Sequence, residues 1–456
     1  MEIEERNVRT CLIWQKISFG FGHVFNDLCA AMWFSYTLFY LQVVLMMEAS
    51  TAGILLMTGQ IVDALATPLV GWALDYIGHR RLWHFGGTIA VAIGFSLMFS
   101  LKTTAFSTSV LTRHALVISL FQIGWAVVQI SHLSLIPEIS RNHSHSSDLT
   151  AIRYTAYVCC SVTVYLITLI ILSNDDESVI IGPDDFYKFK EIALIITFVG
   201  LLASMLFYCG LLGTYESEYE EIREAELEDV NNLNTTNSDQ HFLRSLIIYC
   251  VALMYMSSRL FTILNLIYIP LYIDERGSLE IAEHEKMRQT IASVPLASYL
   301  ASFLTSIFLK FRIKICSDKI TYLTGSLIGI SASVWIGVGV SLTSDKHLYI
   351  IAVLIGISGS STMVASLCFT ANFVKTNGYG GGRVYSMVTF TDKLVSGCVV
   401  LVVQNLQCTP KTLCPYYYEN VLSYICGLVS VTGLASLVLM EIRIRKNTHQ
   451  HVSAVC

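Results

Sequence analysis

Two carboxylates and two cations stand inside apolar stretches of this sequence, Asp27 and Asp63 in the first half and Arg259 and Lys393 in the second. The chemistry such groups can do is reversible ion pairing, with no bond made or broken. The clearest stretch is Met57 to Arg81, MTGQIVDALATPLVGWALDYIGHRR, in which Gln60, Asp63, Thr67, Gly71 and Asp75 recur at intervals of three or four residues. At about 100° per residue these positions fall on one stripe of a helix. A carboxylate at bilayer depth costs about 2.5 to 3.5 kcal/mol on insertion scales, so Asp63 must face protein or a water-filled cavity. Such a helix lines a pathway.

The same reading extends to other spans. His23, Asn26, Asp27 and Phe34 share a face of the first span, where Asp27 either takes part in binding or simply binds water near the end of its helix. The fourth places Gln122, Trp125, Gln129 and His132 in one stripe. His132 is either a coupling residue, since an unperturbed imidazole titrates near neutrality, or a hydrogen-bonded packing residue. Arg153 opens the fifth span and can gate by pairing with Asp75 or Glu138, or else anchor at headgroup level. In the second half, Tyr255, Arg259 and Thr262 share one face of the seventh span, and Ser386, Thr389, Lys393, Gly397 and Gln404 one face of the eleventh. Asp392 points about 100° away from Lys393 and cannot simply neutralise it.

The first half thus contributes carboxylates to a shared cavity and the second contributes cations. A zwitterionic amino acid needs one of each, for its ammonium and its carboxylate. A neutral sugar needs amides, hydroxyls and a stacking aromatic, for which Trp33, Trp125 and Tyr255 are available. Nothing resembles a nucleophile elbow, a phosphate-cradling loop or a metal-binding helix, so an enzyme is not expected and no cofactor is called for. Thirteen cysteines include no paired CxxC motifs or histidines at zinc spacing.

The elements that position these residues are membrane spans. Of 456 residues 54% are hydrophobic and 14% charged, against roughly 25% charged in a soluble domain. Such a chain is a polytopic, all-α membrane protein. Net charge is −5, with no basic tract or aromatic stacking pattern for nucleic acid. The charged N-terminus precedes an apolar run without a small-residue cleavage site, which reads as a retained span. Apolar runs long enough to cross the hydrocarbon core lie near 13–44, 53–74, 85–101, 116–136, 154–172 and 192–212, and again near 243–273, 291–311, 322–342, 348–373, 384–406 and 421–440. Six plus six implies an N-terminal bundle over 1–212, a linker over 213–241 and a C-terminal bundle with its tail over 242–456. The linker, rich in Glu and Asn, has too little apolar surface to fold alone.

With twelve spans both termini share a side with the linker, and that side holds about twice as many Lys and Arg residues as the other, which places it in the cytosol. The sequons at Asn142 and Asn234 fall on that side. Cys408 and Cys414 share a short loop on the opposite, oxidising side, a setting that permits a disulfide. Tyr219 to Ile222, YEEI, fits a tyrosine-based lysosomal sorting signal in the linker.

The run GWALDYIGHRR resembles the loop between helices 2 and 3 of the major facilitator superfamily. GHVFNDLCAAMWF, from Gly22, and DALATPLVGW, from Asp63, resemble its glycoside and cation symporter branch. ISHLSLIPE, TAIRY, LMYMSSRL, IPLYI and FTDKLVSG narrow the likeness to lysosomal and melanosomal membrane proteins of that superfamily required for cysteine import. The resemblance covers nearly the whole chain. It implies two six-helix bundles related by a pseudo-twofold axis, with a substrate site between them. It also implies binding roles for Asp27, Asp63 and Lys393, alongside Gln129, Tyr255 and Arg259 as read from the spans, with His23, Asp75, His132, Glu138 and Arg153 in coupling or gating. Thr67 and Gln129 stand where the branch has acids. Losing two anionic ligands argues against a sodium site and leaves a proton, or no ion, as the coupling partner. The expected protein is a monomeric transporter that imports cysteine from the cytosol into lysosomes or related organelles, with a sugar or other organic-solute symporter as the runner-up. A non-transporting receptor or scaffold is the reading from another class, and it gives no reason to bear buried charge.

Overall fold

The computed structural model describes residues 14, 17–102, 107–139, 143–172, 181–211, 246–279, 287–312, 317–338, 345–377, 381–408 and 413–455. Those residues are helical apart from short connections and turns, as they must be where no water can satisfy a backbone amide. The long helices are α1 (Val24–Phe39), α2 (Ala49–Ile77), α3 (Arg80–Ser100), α4 (Thr108–Ile139), α5 (His143–Leu172) and α6 (Phe186–Leu211). They continue as α7 (Leu246–Leu279), α8 (Met287–Arg312), α9 (Asp318–Gly337), α10 (Asp345–Asn377), α11 (Gly381–Asn405) and α12 (Cys426–Val455). Among the described residues nine of them are long and apolar enough to cross a membrane. The other three, α1, α5 and α11, carry Asp27, Arg153 and the adjacent Asp392 and Lys393.

Packing repeats between the halves. Within the first, α3 lies on α4, α2 on α4, and α1 on α5 and α6; within the second, α9 lies on α10, α8 on α10, and α7 on α11 and α12. Shifting each helix number by six turns one set into the other, which is the pseudo-twofold relation. The halves meet along α2 with α11 and along α5 with α8, a pair of contacts that the same operation exchanges, and along α1 with α7 on the axis.

Small residues let these helices close up. A Cβ on Gly94 of α3 would sit 2.7 Å from the backbone nitrogen of Phe121, and one on Gly124 of α4 would sit 2.8 Å from that of Val91. Across the halves, a Cβ on Gly53 would meet Gln404 at 2.7 Å and one on Gly397 would meet Met57 Sδ at 2.7 Å. Leu69, Phe198, Leu304 and Leu439 are each more than half exposed and form part of the apolar outer surface that lipid covers. Gly78 ends α2 with φ +72°, a conformation that needs no Cβ, and begins the turn into Arg80 and Arg81.

Candidate functional site

Asp63 and Lys393 sit at the middles of α2 and α11, the two helices that meet across the halves. Lys393 Nζ lies 2.8 Å from Asp63 Oδ2 and donates to Thr67 Oγ1 at 3.0 Å. The Thr67 hydroxyl in turn donates to the Asp63 carbonyl at 2.8 Å, one turn back along α2. One carboxylate and one hydroxyl therefore hold the ammonium, where the symporter branch would have two carboxylates. The carboxylate is almost fully buried and the lysine side chain is 18% exposed, so the pair is not completely sealed.

Arg259 on α7 pairs with Asp392 on α11, Nε to Oδ2 at 3.3 Å, and Ser396 donates to the other carboxylate oxygen at 3.3 Å. Tyr255, one helical turn before Arg259, is buried. The charge partition read from sequence omitted Asp392. It faces away from Lys393, and that direction brings it to the arginine of the neighbouring helix.

The third charged group lies in the first half. His23 Nδ1 is 2.8 Å from Asp27 Oδ1, and Arg153 Nη2 is 3.1 Å from His23 Nε2. A guanidinium can only donate, so His23 accepts at Nε2 and donates from Nδ1 to the carboxylate. The chain runs in one direction from Arg153 through His23 to Asp27. Asn26 donates to the Trp125 carbonyl at 3.1 Å, and the Trp125 indole donates to Gln129 Oε1 at 3.2 Å. Asp27 Oδ2 and Asn26 Oδ1 are buried without a hydrogen-bond partner among the described residues. The side chains of Asp75 and Glu138 lie outside the described residues, as do the linker, YEEI and the sequons at Asn142 and Asn234.

At the far end of the molecule a network of uncharged groups joins the halves. Gln42, at the end of α1, donates to Gln404 of α11. Gln404 donates to the Tyr268 hydroxyl at 3.3 Å, and Tyr418 donates to Gln42 Oε1 at 2.7 Å. Glu275 accepts from the backbone amides of Tyr417 and Tyr418 at 2.8 and 2.9 Å, fixing the start of the last span. Cys408 and Cys414 are joined in a disulfide, with Cα atoms 5.9 Å apart, in the connection between α11 and that start.

Twelve helices in two pseudo-symmetric bundles with charge at their interface set the fold class, and comparison with known proteins sets the family. The profile of a family described as MFS/sugar transport protein matches residues 18–441. The chain belongs to the major facilitator superfamily. It is 32% identical to "Major facilitator superfamily domain-containing protein 12" of Mus musculus, over 96% of each chain, and 32% identical to the Homo sapiens protein of that name, over 94% of each. Among solved structures it resembles the D-xylose-proton symporter with a TM-score of 0.68 at 14% identity, covering 94% of this chain and 96% of that one. It also resembles a mutant of the nucleoside transporter NupG with a TM-score of 0.65 at 10% identity, covering 94% and 99%. The chain is a multi-pass membrane transporter of small solutes, and its relatives are transporters, not enzymes.

Two kinds of residue in this transporter escaped the sequence reading. Gln42, Tyr268 and Tyr418 carry no charge and sit near span ends, where polar side chains are common. His84, near the start of α3, falls just outside the apolar run read at 85–101, yet it is fully buried.

Proposed function

We propose that this protein is a monomeric alternating-access transporter that carries cysteine from the cytosol into lysosomes or related organelles. Its two domains are the bundles at 1–212 and 242–456, and its termini and linker are cytosolic. The observation that carries this reading is the Asp63–Lys393 pair, which crosses the two halves at the middles of α2 and α11 and leaves the lysine partly exposed. An amino-acid carboxylate can take the place of Asp63 beside Lys393. Its ammonium can be taken up by the buried, unpartnered oxygens of Asp27 and Asn26. Binding then exchanges the Asp63–Lys393 pair for two pairs to the substrate and leaves Asp63 without its cation, the charge that a coupled proton would neutralise, since removing one partner of a buried pair costs about 3 to 5 kcal/mol. Breaking the cross-half pair frees α2 from α11, which is the movement alternating access requires.

Thr67 supports coupling to a proton or to no ion. The lysine already uses the one carboxylate and the hydroxyl, so too few anionic oxygens remain for a sodium ion. The choice of cysteine among amino acids rests on the family resemblance. Uptake of labelled cysteine into vesicles bearing the protein tests the reading, and saturable uptake is expected. Uptake of a labelled pentose with none of cysteine would instead establish the sugar-symporter alternative, which the likeness to the D-xylose-proton symporter favours. No uptake of either would leave the receptor or scaffold reading.

A further inference from the structure

The α1 span is not one continuous helix. Helical residues run to Phe21, a turn occupies Gly22 and His23, and the helix resumes at Val24. The Gly22 amide donates to the Phe19 carbonyl at 3.1 Å, three residues back instead of four. An interruption of this kind in a buried, apolar part of a span needs neighbours that re-satisfy the backbone. Here both neighbours are histidines. His84 Nε2 of α3 lies 2.9 Å from the Gly22 carbonyl, and His132 Nε2 of α4 lies 2.8 Å from the Phe19 carbonyl.

A carbonyl oxygen accepts only, so each imidazole carries its hydrogen on Nε2. His84 completes its bonding by accepting at Nδ1 from the Tyr208 hydroxyl at 2.6 Å. His132 is held in plane by the Phe19 ring, stacked at 4.2 Å between centroids. Both rings are fully buried. Gly22 fits the same design: a Cβ there would lie 2.6 Å from His132 Cδ2 and 2.7 Å from Phe207 Cδ2. His23, the residue presented by the turn, is the opposite tautomer, with hydrogen on Nδ1 toward Asp27 and Nε2 open to Arg153.

We propose that His84 and His132 are positioning residues that clamp the α1 interruption through the carbonyls of Gly22 and Phe19, and so set the angle at which His23 and Asp27 meet Arg153. This rests on the reading of Asp27 as a binding residue and of Arg153 as a gating residue. The clamp does not touch substrate. It fixes the rotation and depth of a helix whose next turn carries the first-half carboxylate, and a site of this type needs its groups held within about 0.5 Å.

The test has two arms on the full-length protein in lipid. In the first, labelled-cysteine uptake is measured against protein abundance for His84→Leu, His132→Leu and His132→Gln. The leucine variants should raise the half-saturating concentration on the order of ten-fold, as loss of an orienting outer-shell partner does, with a smaller change in maximal rate. His132→Gln should recover most of it, because the glutamine amide reaches the same carbonyl. Unchanged half-saturation in the leucine variants would overturn the clamp, and so would His132→Gln as impaired as His132→Leu. The second arm needs neither substrate nor stable leucine variants. Nitrogen-15 NMR of histidine-labelled protein, assigned by difference with His84→Gln and His132→Gln, should give the Nε2–H tautomer for both rings. An Nδ1–H tautomer or a rapidly averaging ring at either position would overturn the proposal, even if the wild type transports no cysteine and the function above has to be abandoned.

Discussion

Lys393 decides more than any other single side chain. It is the cationic half of the one charged contact described between α2 and α11, and its partners are a carboxylate and a hydroxyl on successive turns of one helix. Lys393→Ala should abolish uptake while the protein still reaches its membrane, because Asp63 loses its counter-charge and the substrate carboxylate loses its anchor. Near-normal uptake by a well-expressed Lys393→Ala variant would make the lysine a static strut. Lys393→Arg should rescue poorly, since a planar fork does not fit between Asp63 Oδ2 and Thr67 Oγ1 as a compact ammonium does. Asp63→Asn keeps the shape but not the charge. If Asp63 handles the coupled proton, that variant should lose most of the dependence of uptake on pH, and an unchanged pH profile would remove Asp63 from the role. These residues were legible because a charge inside an apolar run stands out at any alignment of the helices. Asp392 was not, since its partner is chosen by how α7 crosses α11, and no spacing along one helix reveals that.

At the scale of elements, the spans were legible and their defects were not. An apolar run of sufficient length implies a helix, whereas the turn at Gly22 and His23 and the π-helical stretches Tyr40–Val44 and Val421–Ile425 depend on what packs beside them. Both π-helical stretches lie at the same end of the molecule. Gln42 falls within the first, and Tyr418 stands just before the second. This end is closed by uncharged hydrogen bonds from α1 to α11 and the last span, and an alternating-access cycle must open it. A Gln42→Cys, Gln404→Cys double variant should therefore form a cross-half disulfide under mild oxidation and stop uptake, and a reducing agent should restore it. Full transport by the cross-linked protein would mean that these helices never separate. The native Cys408–Cys414 bond lies on one side of that seam, so oxidation of the wild type controls for its effect.

The whole molecule raises the question of orientation, which helix packing alone does not answer, because the pseudo-twofold axis relates the two halves and says nothing of which end faces the cytosol. Charge asymmetry can answer it. His84, His132, Arg153 and Tyr208 cluster at the end of the first bundle where α3 and α5 begin and α4 and α6 finish, the same end as the Gly78–Arg81 turn. The other end holds the disulfide and the glutamine–tyrosine seam. The excess of Lys and Arg falls on the first end, and such excess stays on the cytosolic side during insertion. The topology read from the sequence puts the sequons at Asn142 and Asn234 on the cytosolic side, so neither should be glycosylated. A sequon inserted between α5 and α6, on the opposite face, should be. The measurement is the mobility of the expressed protein before and after endoglycosidase: no shift for the wild type, and a shift for the insertion. An endoglycosidase-sensitive band in the wild type that disappears on Asn234→Gln would invert the molecule. Export from the cytosol would become import, and the disulfide would be left facing a reducing compartment, where such bonds are rare.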